Sequence, residues 1–342
     1  MINSQKKDVI FLCEMPMKIL VTGGAGFIGS NLCEALLMRG DEVVCLDNFS
    51  TGKIENLFPF IHMYHQKFKL IVGDVRNPED CKKAVEGVDY VLHEAPLGTV
   101  VQSARNPVSV KELDLYGFLN MLIASRDAGV KRFLYVAGSS TEVSEKDQPV
   151  LEDLIDKLLS PDAINKYLKT LHTNLFFNEN RMDCIGLRYF NVFGRRQNLS
   201  GANATLIPFI IKKLIAHESI VINCDGQYLP DYTYIDNIIQ MNLLALETKN
   251  PSALNQIYST AFGERITQYQ LISSLREILS EYDEEISNIE LINKEERIEE
   301  EPSFIGCTEK AIRLLGYYPK YSIREGLEEV VKWYWGTNKL IV

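Results

Sequence analysis

The residues best suited to chemistry come early in the chain. Thr22-Gly23-Gly24-Ala25-Gly26-Phe27-Ile28-Gly29 joins a β-like run, Lys18–Thr22, to a helical pattern, Phe27–Arg39, that Gly40 closes. Glycines at such a turn have separable uses. One permits the tight turn, one lets the backbone approach a pyrophosphate, and one lets helix and strand pack closely. The helix then opens toward the phosphates with free N–H groups. Asp47 ends the next β-like run, Glu42–Asp47. A carboxylate there accepts from both ribose hydroxyls and repels a 2′-phosphate, which selects NAD over NADP. Gly73-Asp74-Val75, after a third run at Lys69–Val72, is placed over the adenine.

These positions need a scaffold, and the rest of the chain supplies its pattern. Helical spacing opens at Asn77-Pro78 and ends near Gly87, followed by a strand at Asp89–His93. A helix over Pro107–Ala128, a strand at Arg132–Ala137, a helix over Pro161–Asn178 and a strand at Cys184–Tyr189 continue the alternation. Strands alternating with helices predict an α/β fold: a Rossmann-type, doubly wound parallel sheet with helices on both faces. After about residue 190 the rhythm breaks into short strands (Ile220–Asn223, Gln256–Ser259), helices (Leu206–Ala216, Asp236–Leu246, Thr267–Ser280), a charge-rich stretch at Glu281–Glu301 and a closing helix at Ile323–Tyr334. The expected organisation is an NAD-binding domain over 17–190 with segments returning at about 230–262. A smaller C-terminal α/β substrate domain covers 191–229 and 263–335, and 1–16 form a leader.

Composition narrows the function classes. The 342 residues carry 36 Lys and Arg against 46 Asp and Glu, a net charge of −10, which argues against nucleic acid as a partner because phosphate neutralisation needs clustered cations. No apolar run is long enough to span a membrane. The seven cysteines are scattered and form no CxxC, as expected of reduced core thiols in a cytoplasmic protein. His62 and His65 have no third ligand patterned with them, so no metal centre is expected.

Several longer segments are recognisable: Gly23–Asn31, Leu46-Asp47-Asn48-Phe49-Ser50-Thr51-Gly52, Asp89–His93, Gly117–Leu122, Gly186–Gln197 and Leu314–Tyr317. On these the chain resembles the extended short-chain dehydrogenase/reductase superfamily, and within it the bacterial UDP-N-acetylglucosamine 4-epimerases, over nearly the whole span from Met17 to about Trp335. The resemblance implies that the sugar is oxidised at C4 by NAD, that the 4-keto sugar turns, and that the hydride returns to its other face. It implies coenzyme contacts from Gly23, Gly26, Phe27, Ile28, Gly29, Asp47, Asn48, Ser50, Thr51, Gly52, Asp74, Val75, His93, Ala95, Lys166, Tyr189 and Asn191. It also implies a UDP-sugar, most closely a UDP-N-acetylhexosamine, near Asn191, Arg195, Arg196, Leu206, Asn223 and Arg297, and a homodimer built on the helices at Pro107–Ala128 and Pro161–Asn178.

The reacting half departs from that pattern. The family's Tyr-x-x-x-Lys reads Asp162 to Lys166, so the lysine that holds the nicotinamide ribose is kept and the tyrosine is not. The two positions share one helix face. An aspartate falls short of a phenol by a distance comparable with the about 2.6–3.2 Å reach a proton-transferring group needs, and its ordinary pKa near ~3.9 makes it a weak base. An Asp162–Lys166 ion pair is the simpler reading. Tyr167 points about 140° away from position 162 at about 100° per residue and is no substitute. Ser139 and Ser140 keep the hydroxyls expected after the fifth strand, while Glu142 stands where the family has tyrosine. Thr141-Glu142-Val143 resembles the acid/base segment of sugar-nucleotide 4,6-dehydratases. Pro96 replaces a usual alanine, and Pro230-Asp231-Tyr232 replaces an Arg-Asp-Phe whose arginine clamps the diphosphate. Arg297 is followed by the acidic run Ile298–Glu301. Two functions follow: an NAD-dependent UDP-sugar epimerase or dehydratase with a rerouted site, or an impaired pseudoenzyme that keeps NAD and regulates an active relative.

Overall fold

The computed structural model describes residues 16–95, 115–137, 161–180, 182–198, 206–223, 230–294 and 306–336. The leader, Ser139, Ser140, Glu142 and Arg297, and the side chains of Asp162, Lys166 and Asn223, lie outside the described residues. In chain order the strands are β1 (Lys18–Thr22), β2 (Glu42–Asp47), β3 (Phe68–Val72), β4 (Tyr90–His93), β5 (Arg132–Ala137), β6 (Asp183–Tyr189), β7 (Val192–Phe193), β8 (Ile220–Asn223), β9 (Thr233–Tyr234), β10 (Gln256–Thr260) and β11 (Leu291–Lys294). Seven of them form one sheet in the order β10-β6-β5-β4-β1-β2-β3, and every pairing in it is parallel. The sequence explains this arrangement. Ile19-Leu20-Val21 and Val43-Val44-Cys45-Leu46 are buried throughout, as strands covered on both faces must be.

The helices are α1 (Phe27–Arg39), α2 (Phe58–Met63), α3 (Pro78–Ala84), α4 (Gly117–Asp127), α5 (Pro161–Asn180), α6 (Leu206–Ile215), α7 (Ile235–Glu247), α8 (Gln268–Ser280), α9 (Glu309–Leu315) and α10 (Ile323–Gly336). α1 turns Leu32, Cys33, Leu36 and Leu37 inward and ends at Gly40, whose φ of 102° lets its N–H reach the Leu36 and Leu37 carbonyls. α1 and α7 cover one face of the sheet, in a core shared with α6, α8 and α10. The opposite face packs Cys81 of α3 and Phe118, Met121 and Leu122 of α4 against Phe133 and Tyr135 of β5. Arg132 fixes α7 to the sheet: its guanidinium donates to the carbonyls of Ala245, Leu246 and Thr248 at 2.8, 2.7 and 2.9 Å, at the helix end where a cation is most favourable.

The structure adds elements where charge or shortness hid the pattern. Within the charge-rich stretch, β11 pairs in parallel with β8, and Ile286 and Ile289 are buried. A few apolar residues spaced among many carboxylates leave no visible periodicity, yet Ile286 and Ile289 join the core that α8 shares. α2 and α9 are each shorter than two full turns and carry too few apolar positions to register as amphipathic. Of the helix expected over Pro107–Ala128, the described part is Gly117–Asp127. Among the described residues, no helix is long and apolar enough to cross a membrane.

Candidate active site and coenzyme cleft

The chain runs outward from β1 to β2 and β3, then crosses back to place β4 on the other side of β1. The carboxyl ends of β1 and β4 therefore diverge, and ligands of parallel sheets bind in that crevice. Gly23 sits there at φ +65°, and a Cβ on it would lie 2.7 Å from the Glu94 carbonyl oxygen. Gly29 is tighter still: its Cβ would stand 2.2 Å from the Gly23 oxygen. Gly26 begins α1 with no side-chain cap, and the first turn of α1 carries no acidic residue. These uncapped N–H groups and the glycine-lined approach fit a pyrophosphate.

Asp47 is oriented by the backbone around it. Its Oδ2 accepts from Ala25 N–H at 2.9 Å and its Oδ1 from Phe49 N–H at 2.8 Å. Each oxygen keeps a lone pair for a ribose hydroxyl. Phe49 is held at φ 58°, in the left-handed region, which curls Asn48, Ser50 and Thr51 over the crevice. These residues line the same cleft as Gly23, Asp47, Gly73, Val75 and Ala95. Gly52 closes the curl, and a Cβ there would meet the Ala25 Cβ at 2.8 Å. Asp74 accepts from Asn48 Nδ2 at 2.9 Å and pairs with Arg76 at 2.6 Å. Hydrogen bonding from Arg76 is the chief reason its carboxyl is held down at about 2.

At the end of β4 the side chains alternate faces. His93 points into the aromatic core, 5.7 Å from both the Phe118 and Phe133 rings. Burial, with the nearby Lys169 charge, pushes it down to about 3, so it is neutral. Its link to the cleft runs through Thr22 Oγ1, 2.9 Å from His93 Nδ1, which also accepts from Ala95 N–H at 3.1 Å. Glu94 points the other way. Tyr189 donates to its Oε1 at 2.8 Å, and Asn242 Nδ2 donates to Tyr189 Oη at 2.9 Å.

On the sugar side, Asn191 adopts φ 33° and donates to the Asp231 carbonyl at 3.1 Å, tying β7 to the strand beside it. Arg195 and Arg196 are engaged within the chain. Arg195 pairs with Asp236 at 2.7 Å, and Arg196 donates to both oxygens of Glu34 at 2.8 and 2.9 Å. Leu206 is the first residue of α6. Pro230 is buried ahead of Asp231, whose carboxyl burial pushes it up to about 6.

A family profile described as "NAD dependent epimerase/dehydratase family" matches residues 19–261. The chain belongs to this family. Its relatives include the UDP-glucose 4-epimerase of Mycolicibacterium smegmatis, 26% identical over 320 residues that span 93% of this chain and 98% of that one. Among solved structures it is similar to the UDP-glucose 4-epimerase of Thermotoga maritima with UDP-glucose, at 31% identity and a TM-score of 0.80 over 94% of this chain and 100% of that one. It is also similar to the UDP-N-acetylglucosamine 4-epimerase of Methanobrevibacter ruminantium in complex with UDP-N-acetylmuramic acid, at 28% identity and a TM-score of 0.81 over 95% and 100%. NAD is accordingly the coenzyme of this family member, and the turn after β1 has the shape to hold it.

Two charged residues, one beside the turn after β1 and one within the aromatic core behind His93, carry no motif in the sequence. Glu94 follows His93 at the end of a central strand, and strand alternation alone sets it on the opposite face. Lys169 is 2% exposed and lies 5.4 Å above the Phe118 ring. It shares with Asn165 and Thr173 the buried face of α5, at the helical spacing that was available to find it.

Proposed function

We propose that this chain oxidises a UDP-sugar, a UDP-N-acetylhexosamine, at C4 and carries it on to epimerisation or elimination through an altered set of proton-transfer groups. The carrying observation is the intact glycine turn and Asp47 anchor in a chain whose Thermotoga relative holds UDP-glucose. When bound, NAD supplies the acceptor and later the donor of the C4 hydride. In this reading Lys166 holds the ribose, Ser139 or Ser140 polarises the hydroxyl, and Asp162, through a water, or Glu142 moves its proton. Asn191, Leu206, Asn223 and Arg297 border the nucleotide-sugar, and Arg195 and Arg196 contribute by holding the wall of that lobe. The coenzyme domain is 17–190 with returning segments, the substrate domain is the remainder to 335, and the protein works in the cytoplasm.

Asp162 in place of the family's tyrosine favours a second reading, an NAD-binding pseudoenzyme that regulates an active relative. The experiment incubates the native chain and Asp162→Tyr with UDP-N-acetylglucosamine, UDP-glucose and UDP-glucuronate and separates the products. Turnover by the native chain is expected. Turnover confined to the variant establishes the second reading, and inactivity of both with no binding removes the UDP-sugar.

We further infer a homodimer through α4 and α5. Ile164, Leu171 and Leu175 are 44–48% exposed along one stripe of α5, and Tyr116 and Ile123 are 51% and 41% exposed beside and on α4. Stripes at this spacing pack as helix bundles. Leu171→Glu with Leu175→Glu is expected to halve the mass seen by sedimentation equilibrium. An unchanged mass, or a native monomer, contradicts the dimer.

A further inference from the structure

The last register pair between β1 and β4 is Thr22 with His93, and beyond it the two chains part to form the crevice. Past the end of this ladder, Ala95 N–H donates to Thr22 Oγ1 at 3.1 Å. That bond holds Glu94 and Ala95 hard against the glycine turn. A Cβ on Gly23 would lie 2.7 Å from the Glu94 carbonyl oxygen and 2.9 Å from the Ala95 Cα. Ala95 lines the same cleft as Gly23 and Asp47. The spacing between this wall and the turn therefore depends on where one hydroxyl oxygen stands.

The hydroxyl is oriented from behind. Thr22 is fully buried, and a buried hydroxyl proton without an acceptor is costly. Among the described residues, Thr22 Oγ1 meets Ala95 N–H and His93 Nδ1, the latter at 2.9 Å. An amide N–H can only donate, so the threonine proton goes to His93 Nδ1. This fixes the tautomer: Nδ1 is the bare acceptor, and Nε2 carries the ring proton. A cationic ring would carry a proton on Nδ1 and reverse the bond. Burial and the Lys169 charge hold His93 down at about 3, which keeps the ring neutral. The imidazole itself does not line the cleft. His93 is 4% exposed, and its ring packs 5.7 Å from both the Phe118 and Phe133 rings.

We propose that His93 is a positioning residue for the coenzyme cleft: as an acceptor it fixes the Thr22 hydroxyl, and the hydroxyl fixes Ala95 and the wall beside the glycine turn. The proposal rests on the coenzyme reading of that cleft. It replaces the direct coenzyme contact that the family resemblance implies for His93 with an indirect one.

The test combines heteronuclear NMR of the histidine rings with calorimetric titration of the full chain by NAD. In the native protein His93 is expected to show a bare Nδ1 and a protonated Nε2, unchanged between about pH 5 and pH 8. Thr22→Val, which loses both bonds, is expected to raise the NAD dissociation constant about tenfold, and Thr22→Ser, which keeps the oxygen, to restore it. His93→Phe keeps an aromatic ring in the core and removes the acceptor, and a rise of about threefold is expected. Circular dichroism confirms that each variant is folded, and the tautomer of the native chain is read without any variant. A proton on Nδ1 in the native chain overturns the proposal alone. So does native affinity in Thr22→Val or His93→Phe, or a Thr22→Ser variant as weak as Thr22→Val. Absence of NAD binding by folded native protein overturns it together with the coenzyme reading.

Discussion

Gly29→Ala is expected to weaken NAD binding by about a hundredfold or more while leaving the chain folded. The added methyl carbon would lie 2.2 Å from the Gly23 oxygen, 2.8 Å from the Gly23 carbonyl carbon and 2.9 Å from the Gly24 Cα. All three are backbone atoms of the turn itself, so no flexible side chain can yield. Either α1 retreats from β1 or the Gly23–Gly24 segment rotates, and both moves displace the N–H groups that meet the pyrophosphate. Misplacement by about 1 Å costs on the order of a hundredfold in function at a preorganised site. Gly26→Ala serves as the graded comparison. Its Cβ would stand 3.1 Å from the same oxygen, a contact that a small shift relieves. Calorimetric titration with NAD checks the order of effects: native, then Gly26→Ala, then Gly29→Ala, with circular dichroism confirming that each variant is folded.

Glu34→Ala is expected to lower the unfolding free energy by about 2–3 kcal/mol, less than the about 3–5 kcal/mol for breaking a fully buried pair, since Glu34 keeps 27% exposure. The loss comes from what is left behind. Arg196 is 9% exposed and donates two hydrogen bonds to this one carboxylate, and Arg195 approaches it at 3.4 Å. Removing the anion leaves one nearly buried guanidinium uncompensated in charge, with the Asn31 Oδ1 it donates to at 3.1 Å and the Phe60 ring, and leaves the other with Asp236. Burial alone would raise the Glu34 carboxyl, but the Arg196 and Arg195 interactions outweigh it and hold it below its ordinary value of 4.5. A carboxyl lowered on folding contributes stability that is fully present above the unfolded value and is lost as pH falls through the folded value. The difference between native and Glu34→Ala in denaturant titrations is therefore expected at pH 7 and expected to shrink on acidification below pH 4.5. A difference that persists unchanged into acid would assign the loss to packing.

The coenzyme side of this protein was legible because its requirements fall on residue type. Only glycine tolerates Gly23's φ of +65° against a strand carbonyl, or Gly29's approach to the turn, so backbone geometry writes itself into the sequence. Asp47 was legible for a related reason: it closes a strand whose register with β1 is fixed by continuous apolar residues. The sheet was legible from alternation and the second lobe only in part, since β11 is hidden among carboxylates. Partners were not legible. Nothing near Arg195 or Arg196 in the chain names Glu34 as their counterion, because the pairing is made by α1 packing beside the loop after β7. Glu94 was invisible as a raised acid because its ionisation is set by burial and by Tyr189, not by its sequence neighbours.

The most direct measurement is the titration of coenzyme-free native protein with NAD, followed by heat release and repeated with NADP. Saturable binding of one NAD per chain, much weaker binding of NADP, and loss of the NAD signal in Gly29→Ala are the expected results. Folded native protein that gives no heat with NAD, or a Gly29→Ala variant that binds as tightly as the native chain, would contradict the assignment of the turn after β1 as the dinucleotide site.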